Sequence, residues 1–358
     1  TPPMRDLPQK IYLEPTTDCN LNCGMCVRHA WDAAGENMTG ETFTLLLAQT
    51  RAIPSLAAIQ FGGFGEPTVH PQFCQFLQGA KEAGLRTELV TNGTTLDAQL
   101  IESLLDLELD QLVVSIDGAD SDGNGTFHPS LDGQVQGNLR NLYRMRLSRH
   151  AAKPEVAVQF VASRRNIHQL PEVKRLAQQL GFSQIVVSNL VPHTPELAEE
   201  ILYAHWTTGR SSAPRSPWNP TIDLPPTDPD SPAREEIEQL RSTGTRLEFF
   251  GNEFSGGTMA CRFVSEGCLA IAADGGVSPC LALLHSYNYY FRGEKRRMLA
   301  YRVGDVREMS LGDIWDGAEY RAFRERVRQF TFSPCIDCGG CDLRESNEED
   351  CFGNGFPP

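Results

Sequence analysis

The sequence predicts an α/β protein: an open, partial (β/α)6 barrel of the TIM type followed by a cysteine-rich domain. Two observations lead to this prediction. From about residue 10 to about residue 200, short β-branched runs alternate with amphipathic helical patterns. Six such units imply parallel strands with right-handed crossovers, and six cannot close a barrel of eight. Beyond residue 260 the sequence is instead rich in cysteine.

The six predicted strands share β-branched or aromatic residues and a turn signal near each end. They lie at 11–15 (IYLEP), 57–63 (AAIQFGG), 87–93 (TELVTNG), 111–118 (QLVVSIDG), 155–162 (EVAVQFVA) and 184–191 (QIVVSNLV). Apolar residues at helical spacing predict helices between them, most plainly at 40–53, 70–84 and 170–181.

A proline-rich segment divides the chain. Residues 207–232 read TTGRSSAPRSPWNPTIDLPPTDPDSP, and repeated proline disfavours regular helix and strand. A helical pattern (AREEIEQLRSTG) and a short strand (RLEFF) follow it. We therefore predict the partial barrel at 1–206, a linker with a bridging helix at 207–250, and the cysteine-rich domain at 251–358.

The composition limits the partners and the compartment. The net charge of −14 and the pI of about 5.1 disfavour nucleic acid or an anionic membrane as a partner. No apolar run approaches the roughly 18 residues of a membrane span. The cysteines cluster and no secretory signal precedes them, so we interpret them as metal ligands of a cytoplasmic protein rather than as disulfides.

Three cysteines follow the first predicted strand at CxxxCxxC spacing: Cys19, Cys23 and Cys26. Three thiolates leave a four-iron cluster one ligand short, so one iron stays open to a small molecule. A zinc knuckle completed by His29 is the alternative that spacing alone leaves open.

This spacing after a first strand resembles the radical S-adenosylmethionine enzymes. The resemblance implies a 4Fe-4S cluster whose open iron binds the amino and carboxylate groups of S-adenosylmethionine. It also implies reductive cleavage of that molecule to methionine and a 5′-deoxyadenosyl radical. Where the family usually has an aromatic residue before the third cysteine, this chain has Met25, whose apolar side chain can still shield the cluster.

A glycine-rich loop, FGGFGEP, follows the second predicted strand. Its glycines permit close backbone approach, and Glu66 brings a carboxylate to the strand end. Gly65 and Glu66 resemble the family's GGE element, which implies that they bind the amino group of S-adenosylmethionine. A desolvated ammonium needs such an acceptor. A tight turn with a surface glutamate is the alternative.

Polar side chains end the later strands, and converging strand ends form a pocket in a parallel barrel. By family analogy, Ser115 and Ser163 meet the ribose or the carboxylate of S-adenosylmethionine, and Arg164 pairs with that carboxylate. Capping of the following helices is the alternative role for such residues. The predicted cofactor-binding set is Gly65, Glu66, Asn92, Ser115, Asp117, Ser163, Arg164 and Asn189.

The C-terminal region supplies seven further predicted ligands: Cys261, Cys268, Cys280, Cys335, Cys338, Cys341 and Cys351. A turn at Asp274–Gly276 predicts a hairpin that brings Cys268 and Cys280 near each other. With Gly275 five residues before Cys280, the region resembles the SPASM extension, which implies one or two auxiliary 4Fe-4S clusters. Zinc is the alternative, and seven thiolates are one short of two fully ligated clusters.

Three segments narrow the resemblance: FGGFGEPTVHP, SNLVPHTPE and NEEDCFGNGFPP. They resemble the radical S-adenosylmethionine maturases of tungsten-dependent aldehyde oxidoreductases. This implies an enzyme that modifies a cofactor or a protein and receives electrons from a donor such as ferredoxin or flavodoxin. The alternatives are a peptide-modifying SPASM enzyme and a non-catalytic metal-binding or electron-transfer protein. Sulfatase-maturing relatives carry an acidic residue after an auxiliary-cluster cysteine, where this chain has Leu281.

Overall fold

The structure, a computed structural model, describes residues 7–31, 35–118, 133–202, 221–224, 232–243, 245, 247–249, 261–291 and 294–329. The predicted ligands Cys335, Cys338, Cys341 and Cys351 lie outside the described residues. The chain divides into two compact units. The first comprises residues 1–20, 27–88 and 258–358, and the second comprises residues 21–26 and 89–257. The domain boundaries after residues 206 and 250 stay a prediction.

The strands in the described part of the chain are β1 Lys10–Leu13, β2 Ala58–Phe61, β3 Arg86–Thr91, β4 Gln111–Ser115, β5 Glu155–Ala162, β6 Gln184–Asn189, β7 Thr221–Leu224, β8 Leu247–Phe249, β9 Cys268–Ile271, β10 Gly276–Ser278, β11 Tyr287–Phe291, β12 Glu294–Met298 and β13 Gly304–Asp305. All six strands of the predicted barrel are confirmed, as β1 to β6.

The helices in the same residues are α1 Gly40–Thr50, α2 Phe73–Glu82, α3 Ala98–Asp106, α4 Gly133–Ser148, α5 Leu170–Gln179, α6 Pro195–Ala198, α7 Ala233–Ser242, α8 Arg262–Ser265, α9 Leu311–Asp316 and α10 Ala318–Gln329. Short 3-10 turns lie at Val27–Ala30, Pro67–Val69, Ile167–Gln169 and Leu281–Leu283. None of the helices described is both long and apolar enough to cross a bilayer.

The first unit combines strands from the N-terminal and C-terminal parts of the chain, in the order β13-β10-β9-β1-β2. Strand β1 pairs in parallel with β2 on one side and with β9 on the other. The predicted hairpin is confirmed by β9 and β10, in which Val277 lies opposite Ile271. Gln49 links α1 to the C-terminal segment, because its side chain donates to the carbonyl oxygen of Val306 and accepts from the amide of Leu311, both at 2.8 Å.

The second unit contains the strands β4 to β8. They lie side by side in chain order, and each pairs in parallel with the next. The prediction that proline excludes regular structure from 207–232 was wrong for Thr221–Leu224. These four residues contain no proline, and Ile222 and Leu224 are fully buried, so they add a strand beside β6.

Local sequence explains where the helices begin and what they cover. The Thr39 hydroxyl caps α1 by accepting the amide of Thr42, and the Asp97 carboxylate caps α3 by accepting the amide of Leu100. The apolar faces then pack inward, as where the rings of Phe43 and Phe76 stack with centroids 4.2 Å apart. Strands β3, β4 and β6 end at the polar residues Thr91, Ser115 and Asn189, and several residues of the candidate site lie at or just after such strand ends.

Candidate functional site

The CxxxCxxC cysteines occupy the loop between β1 and the turn Val27–Ala30. Each of the three is half-buried and forms no disulfide. The amide of Cys26 donates to the carbonyl oxygen of Cys23 at 3.0 Å, which forms a tight turn between the second and third ligand. His29, the zinc alternative's fourth ligand, is exposed.

The glycine-rich loop packs against the chain that leads into Cys19. The amide of Glu66 donates to the carbonyl oxygen of Asp18 at 2.8 Å. A β-carbon on Gly65 would lie 2.1 Å from the carbonyl oxygen of Thr16, so only glycine fits there. The structure therefore places Gly65 and Glu66 beside the first residue of the cysteine motif, as the sequence predicts.

Glu66 is a buried carboxylate rather than a surface one, with 3% of its surface exposed. Its Oε1 accepts the hydroxyl of Thr68 at 2.5 Å and the amide of Thr68 at 3.2 Å, and so caps the turn Pro67–Val69. The alternative of a solvated turn glutamate was wrong. Burying a carboxylate is costly unless it is paired, so a ligand ammonium is a fitting partner for it.

Polar strand ends meet in the second unit around Asp117, which follows β4 and is buried. Its Oδ1 accepts the amide of Val161 at 2.7 Å, and its carbonyl oxygen accepts the side-chain amide of Asn166 at 3.0 Å. At the neighbouring strand end, Asn92 Oδ1 accepts both the amide and the hydroxyl of Thr94. These two predicted residues therefore shape the turns that follow β4 and β3.

Ser163 and Arg164 have protein partners. Ser163 is fully buried, and both its amide and its hydroxyl donate to Asn166 Oδ1, at 2.7 and 3.2 Å. Arg164 is exposed and its Nε donates to the carbonyl oxygen of Ile201. The adjacent Arg165 forms an ion pair with Glu200 at 2.6 Å. Ser163 therefore holds the turn after β5 through Asn166, a residue that sequence reasoning did not select.

Ser115 and Asn189 end the strands β4 and β6, which lie on either side of β5 in the same sheet. Ser115 is the last residue of β4 and lies opposite Gln159 on β5. Asn189 is the last residue of β6 and lies opposite Ala162. The Oδ1 of Asn189 is buried and accepts no hydrogen bond from the described residues. A buried acceptor of this kind is suited to a ligand hydroxyl or amine.

The C-terminal cysteines differ in their surroundings. Cys261 and Cys280 are half-buried, whereas Cys268 is 1% exposed and packs with Tyr12, Ala270 and Leu284 in an apolar cluster. Burial and the nearby Cys261 sulfur raise the pKa of Cys280 to about 12, against the lowering effect of backbone amides at 282 and 283. A thiolate at Cys280 therefore needs a cation beside it, which a bound metal supplies.

Sequence reasoning missed an acidic and a basic residue at the end of β1. The carboxylate of Glu14 is fully buried, and its Oε2 lies 2.5 Å from Nε2 of His285. No sequence signal connects them, since they are separated by 271 positions. Trp31 stacks on the His285 ring with centroids 4.3 Å apart.

The donor set fits iron–sulfur ligation. Half-buried cysteines that form no disulfide lie on the loop after β1 and beside the β9–β10 hairpin, and thiolates are the usual ligands of such clusters. Within the described residues, no three His, Cys, Asp or Glu side chains already converge as a complete metal shell. The ligand assignments therefore stand on spacing, surroundings and family membership.

Two family models match the chain. The Radical SAM superfamily model covers residues 13–151, and the SPASM model, an iron-sulfur cluster-binding domain, covers residues 261–342. A protein of Pyrococcus furiosus described as a tungsten-containing aldehyde ferredoxin oxidoreductase cofactor-modifying protein is 31% identical over 350 residues, which are 96% of this chain and 92% of that protein. The chain is a radical SAM enzyme with a SPASM domain. Its cofactors are S-adenosylmethionine and 4Fe-4S clusters, as the sequence predicts.

Two further comparisons involve lower sequence identity. A PqqA peptide cyclase of Rhodopseudomonas palustris is 27% identical over 185 residues, which are 51% of this chain and 47% of that protein. Among solved structures, Streptococcus suis SuiB bound to S-adenosylmethionine matches with a TM-score of 0.61 and 16% identity over 98% of this chain and 74% of that one. This likeness confirms the predicted partial-barrel and SPASM fold of the radical SAM enzyme.

Proposed function

We propose that this radical SAM enzyme modifies a cofactor during the maturation of a tungsten-dependent oxidoreductase. The supporting observation is the 31% identity to the Pyrococcus furiosus cofactor-modifying protein. That match extends over 96% of this chain, so it includes both the radical SAM and the SPASM segments. A PqqA peptide cyclase of Granulibacter bethesdensis also matches 96% of the chain, but at 23% identity, so the higher identity to the cofactor-modifying protein favours a cofactor over a peptide as the substrate.

The roles of the residues follow from their surroundings. Cys19, Cys23 and Cys26 hold a 4Fe-4S cluster and leave one iron for S-adenosylmethionine. Reductive cleavage of S-adenosylmethionine supplies a 5′-deoxyadenosyl radical, which takes a hydrogen atom from the substrate. Glu66 accepts the amino group of S-adenosylmethionine, because a buried carboxylate binds an ammonium more strongly than a solvated one. Gly65 allows the loop backbone to approach closely.

The strand ends of the second unit carry the other residues that are predicted to bind the cofactor. Asn189 offers a buried acceptor, and Asn92, Ser115 and Asp117 end neighbouring strands. Ser163 and Arg164 belong to the predicted set, but ligand contacts there must replace their bonds to Asn166 and Ile201. We therefore assign these two a smaller share of the binding energy than Glu66 or Asn189.

The cysteines of the SPASM domain other than Cys268, which packs in an apolar cluster, are the proposed ligands of one or two auxiliary clusters. Cys261 and Cys280 lie near each other, and Cys335, Cys338, Cys341 and Cys351 complete the set from outside the described residues. The electrons for S-adenosylmethionine cleavage come from a small donor protein such as ferredoxin or flavodoxin. A reducing, cytoplasmic setting agrees with the absence of a disulfide among the seven described cysteines.

Anaerobic purification tests the cluster assignments. We expect brown protein with about twelve irons if three sites each hold a four-iron cluster, or about eight if one auxiliary site is empty. We also expect 5′-deoxyadenosine when S-adenosylmethionine and a reductant are added. Colourless protein with stoichiometric zinc and no iron would contradict both expectations.

Mass spectrometry tests the substrate. A tungsten-dependent oxidoreductase is produced with this enzyme or with its Cys19→Ala variant, and the pterin cofactor is extracted and weighed. A cofactor mass that differs between the two preparations supports the proposal. Identical cofactors contradict it, and a candidate peptide that loses hydrogens or gains a crosslink would establish peptide modification instead.

A further inference from the structure

Glu14 occupies a central position in the first unit. It follows β1 directly, and its own amide donates to the carbonyl oxygen of Ile271 on β9 at 2.9 Å. Its side chain is fully buried, and its two oxygens have different partners. Oε1 accepts the amide of Phe64 at 2.8 Å, and Oε2 lies 2.5 Å from Nε2 of His285. One carboxylate therefore binds both the glycine-rich loop and the C-terminal segment.

The glycine-rich loop is shaped around this carboxylate. Gly63 has a φ of +95°, and a β-carbon there would lie 2.6 Å from Glu14 Cγ and 2.7 Å from Oε1. The loop can therefore wrap closely around Glu14 only with glycine at this position. Two residues further on, Gly65 and Glu66 contact the backbone of Thr16 and Asp18. The residues from Glu14 to Asp18 thus contact the loop along its length and fix its backbone conformation.

The ring of His285 is held on its other side by aromatic residues. Trp31 stacks on it at 4.3 Å with an interplanar angle of 24°, and Phe64 meets it edge-on at 6.0 Å. The backbone of Trp31 in turn bridges to Tyr287. His285 is only 7% exposed, so its Nε2 has little freedom to leave Glu14.

A buried carboxylate without a cationic or donor partner is strongly disfavoured. If His285 were removed, Oε2 of Glu14 would lose its partner, and any movement of the carboxylate toward another partner would weaken its bond to the Phe64 amide. His285 therefore acts on the loop through Glu14. The pair joins the segment after Cys280 to the loop that ends in Glu66. The link runs through Glu14, which accepts the Phe64 amide at Oε1 and contacts His285 at Oε2.

We propose that Glu14 and His285 are a positioning pair that holds the loop Gly62–Glu66 in the conformation that binds S-adenosylmethionine. This rests on the proposed role of Glu66. The pair contacts no reacting atom in this proposal; it sets the place of the groups that do. The C-terminal segment thereby contributes to cofactor binding through His285, besides supplying cluster ligands.

The test uses Glu14→Gln, His285→Gln and the double variant in the reconstituted holoenzyme. Hydrogen–deuterium exchange of the peptide that contains residues 62–66 is measured without S-adenosylmethionine, and the dissociation constant of S-adenosylmethionine is measured by equilibrium dialysis. We expect faster exchange and an affinity about tenfold lower or more in each single variant, because a charge-assisted bond is lost. The double variant should bind S-adenosylmethionine no more weakly than Glu14→Gln alone, because the first substitution already removes the interaction between the two residues.

Glu88→Gln is the matched control. Glu88 is also a buried carboxylate, but it pairs with Lys10 at the opposite end of β1, at 2.5 Å. Normal exchange and affinity in this variant, with unchanged iron content throughout, separate the positioning role from general destabilisation. Equal effects in Glu88→Gln, or no effect in the pair variants, overturn the proposal.

The positioning role can still be tested if one variant does not fold or if the wild type does not bind S-adenosylmethionine. If Glu14→Gln does not fold, His285→Gln alone decides, since it leaves the Glu14 carboxylate in place and its exchange is read against wild type. If wild-type enzyme binds no S-adenosylmethionine, the proposed function fails. The exchange data then still show whether His285 holds the loop.

Discussion

The phenol of Tyr320 donates a hydrogen bond of 3.1 Å to the backbone carbonyl oxygen of Cys268. Tyr320 is buried on α10, where it packs edge-on against Trp315 with ring centroids 5.3 Å apart. The bond connects α10 to the first residue of β9. Cys268 is therefore fixed through its backbone while its side chain packs in an apolar cluster.

We expect Cys268 and Cys280 to respond differently to alanine. Cys268→Ala should cost about 1–2 kcal/mol of stability, because a small buried apolar group is lost, and should keep the auxiliary iron. Cys280→Ala should lose auxiliary iron, because it removes a half-buried thiol beside Cys261. Iron analysis and thermal unfolding measure both effects. Equal iron loss in the two variants would make Cys268 a ligand, as its sequence spacing predicts.

Changing Cys19, Cys23 and Cys26 together to alanine should abolish 5′-deoxyadenosine formation. Iron in the SPASM domain should remain, because the proposed ligands there are a separate set of thiolates. Chromatography of the nucleoside product and iron analysis check the two parts. Cys74→Ala is the control, since Cys74 is exposed on α2 and should change neither. Continued cleavage in the triple variant would place the catalytic cluster elsewhere.

Glu66→Gln should weaken S-adenosylmethionine binding by about one to two orders of magnitude. A charge-assisted bond to a buried ammonium is worth roughly 1.5–3 kcal/mol, and the amide oxygen of glutamine can still cap Thr68. The folded structure should therefore persist, and the dissociation constant should change at constant melting temperature. An unchanged dissociation constant would remove Glu66 from the cofactor site.

Gly65→Ala and Gly137→Ala should have opposite effects on stability. The β-carbon at position 65 meets backbone atoms at 2.1 Å that cannot move aside, so we expect a loss of about 1–3 kcal/mol or more. Gly137 lies on the exposed side of α4 with open space around it, and alanine there should gain about 0.5–1 kcal/mol. Thermal unfolding of both variants gives the comparison. Unaltered stability in Gly65→Ala would mean that the loop does not pack as described.

Local patterns in the sequence predict the parts of the fold that depend on neighbouring residues. The runs that become β1 to β6 combine β-branched residues with terminal turn signals, and all six are found. The β9–β10 hairpin was also predicted, because Gly275 supplies the positive φ of +94° that its turn requires. The strand β7 was missed because the prolines around it dominate the composition of the segment.

Contacts between distant parts of the chain carry no local pattern and were not predictable. Glu14 lies in a run that has the pattern of an ordinary strand end, and no neighbouring residue indicates that His285 is its partner. The pairing of β1 with β9 likewise joins residues that lie about 258 positions apart. Asn166 was overlooked because its role as partner of Ser163 depends on the turn after β5. These interactions arise only when the whole chain is packed.

The pairing of β1 on both sides has a consequence for synthesis of the protein. The side of β1 that meets β9 has no partner until the ribosome has made residue 271, long after β2 is available to cover the other side. For most of translation the nascent chain therefore carries an open strand edge, and such edges recruit other chains. This predicts that production depends on chaperones that shield β1, and that truncation before β9 yields aggregate rather than a smaller folded barrel.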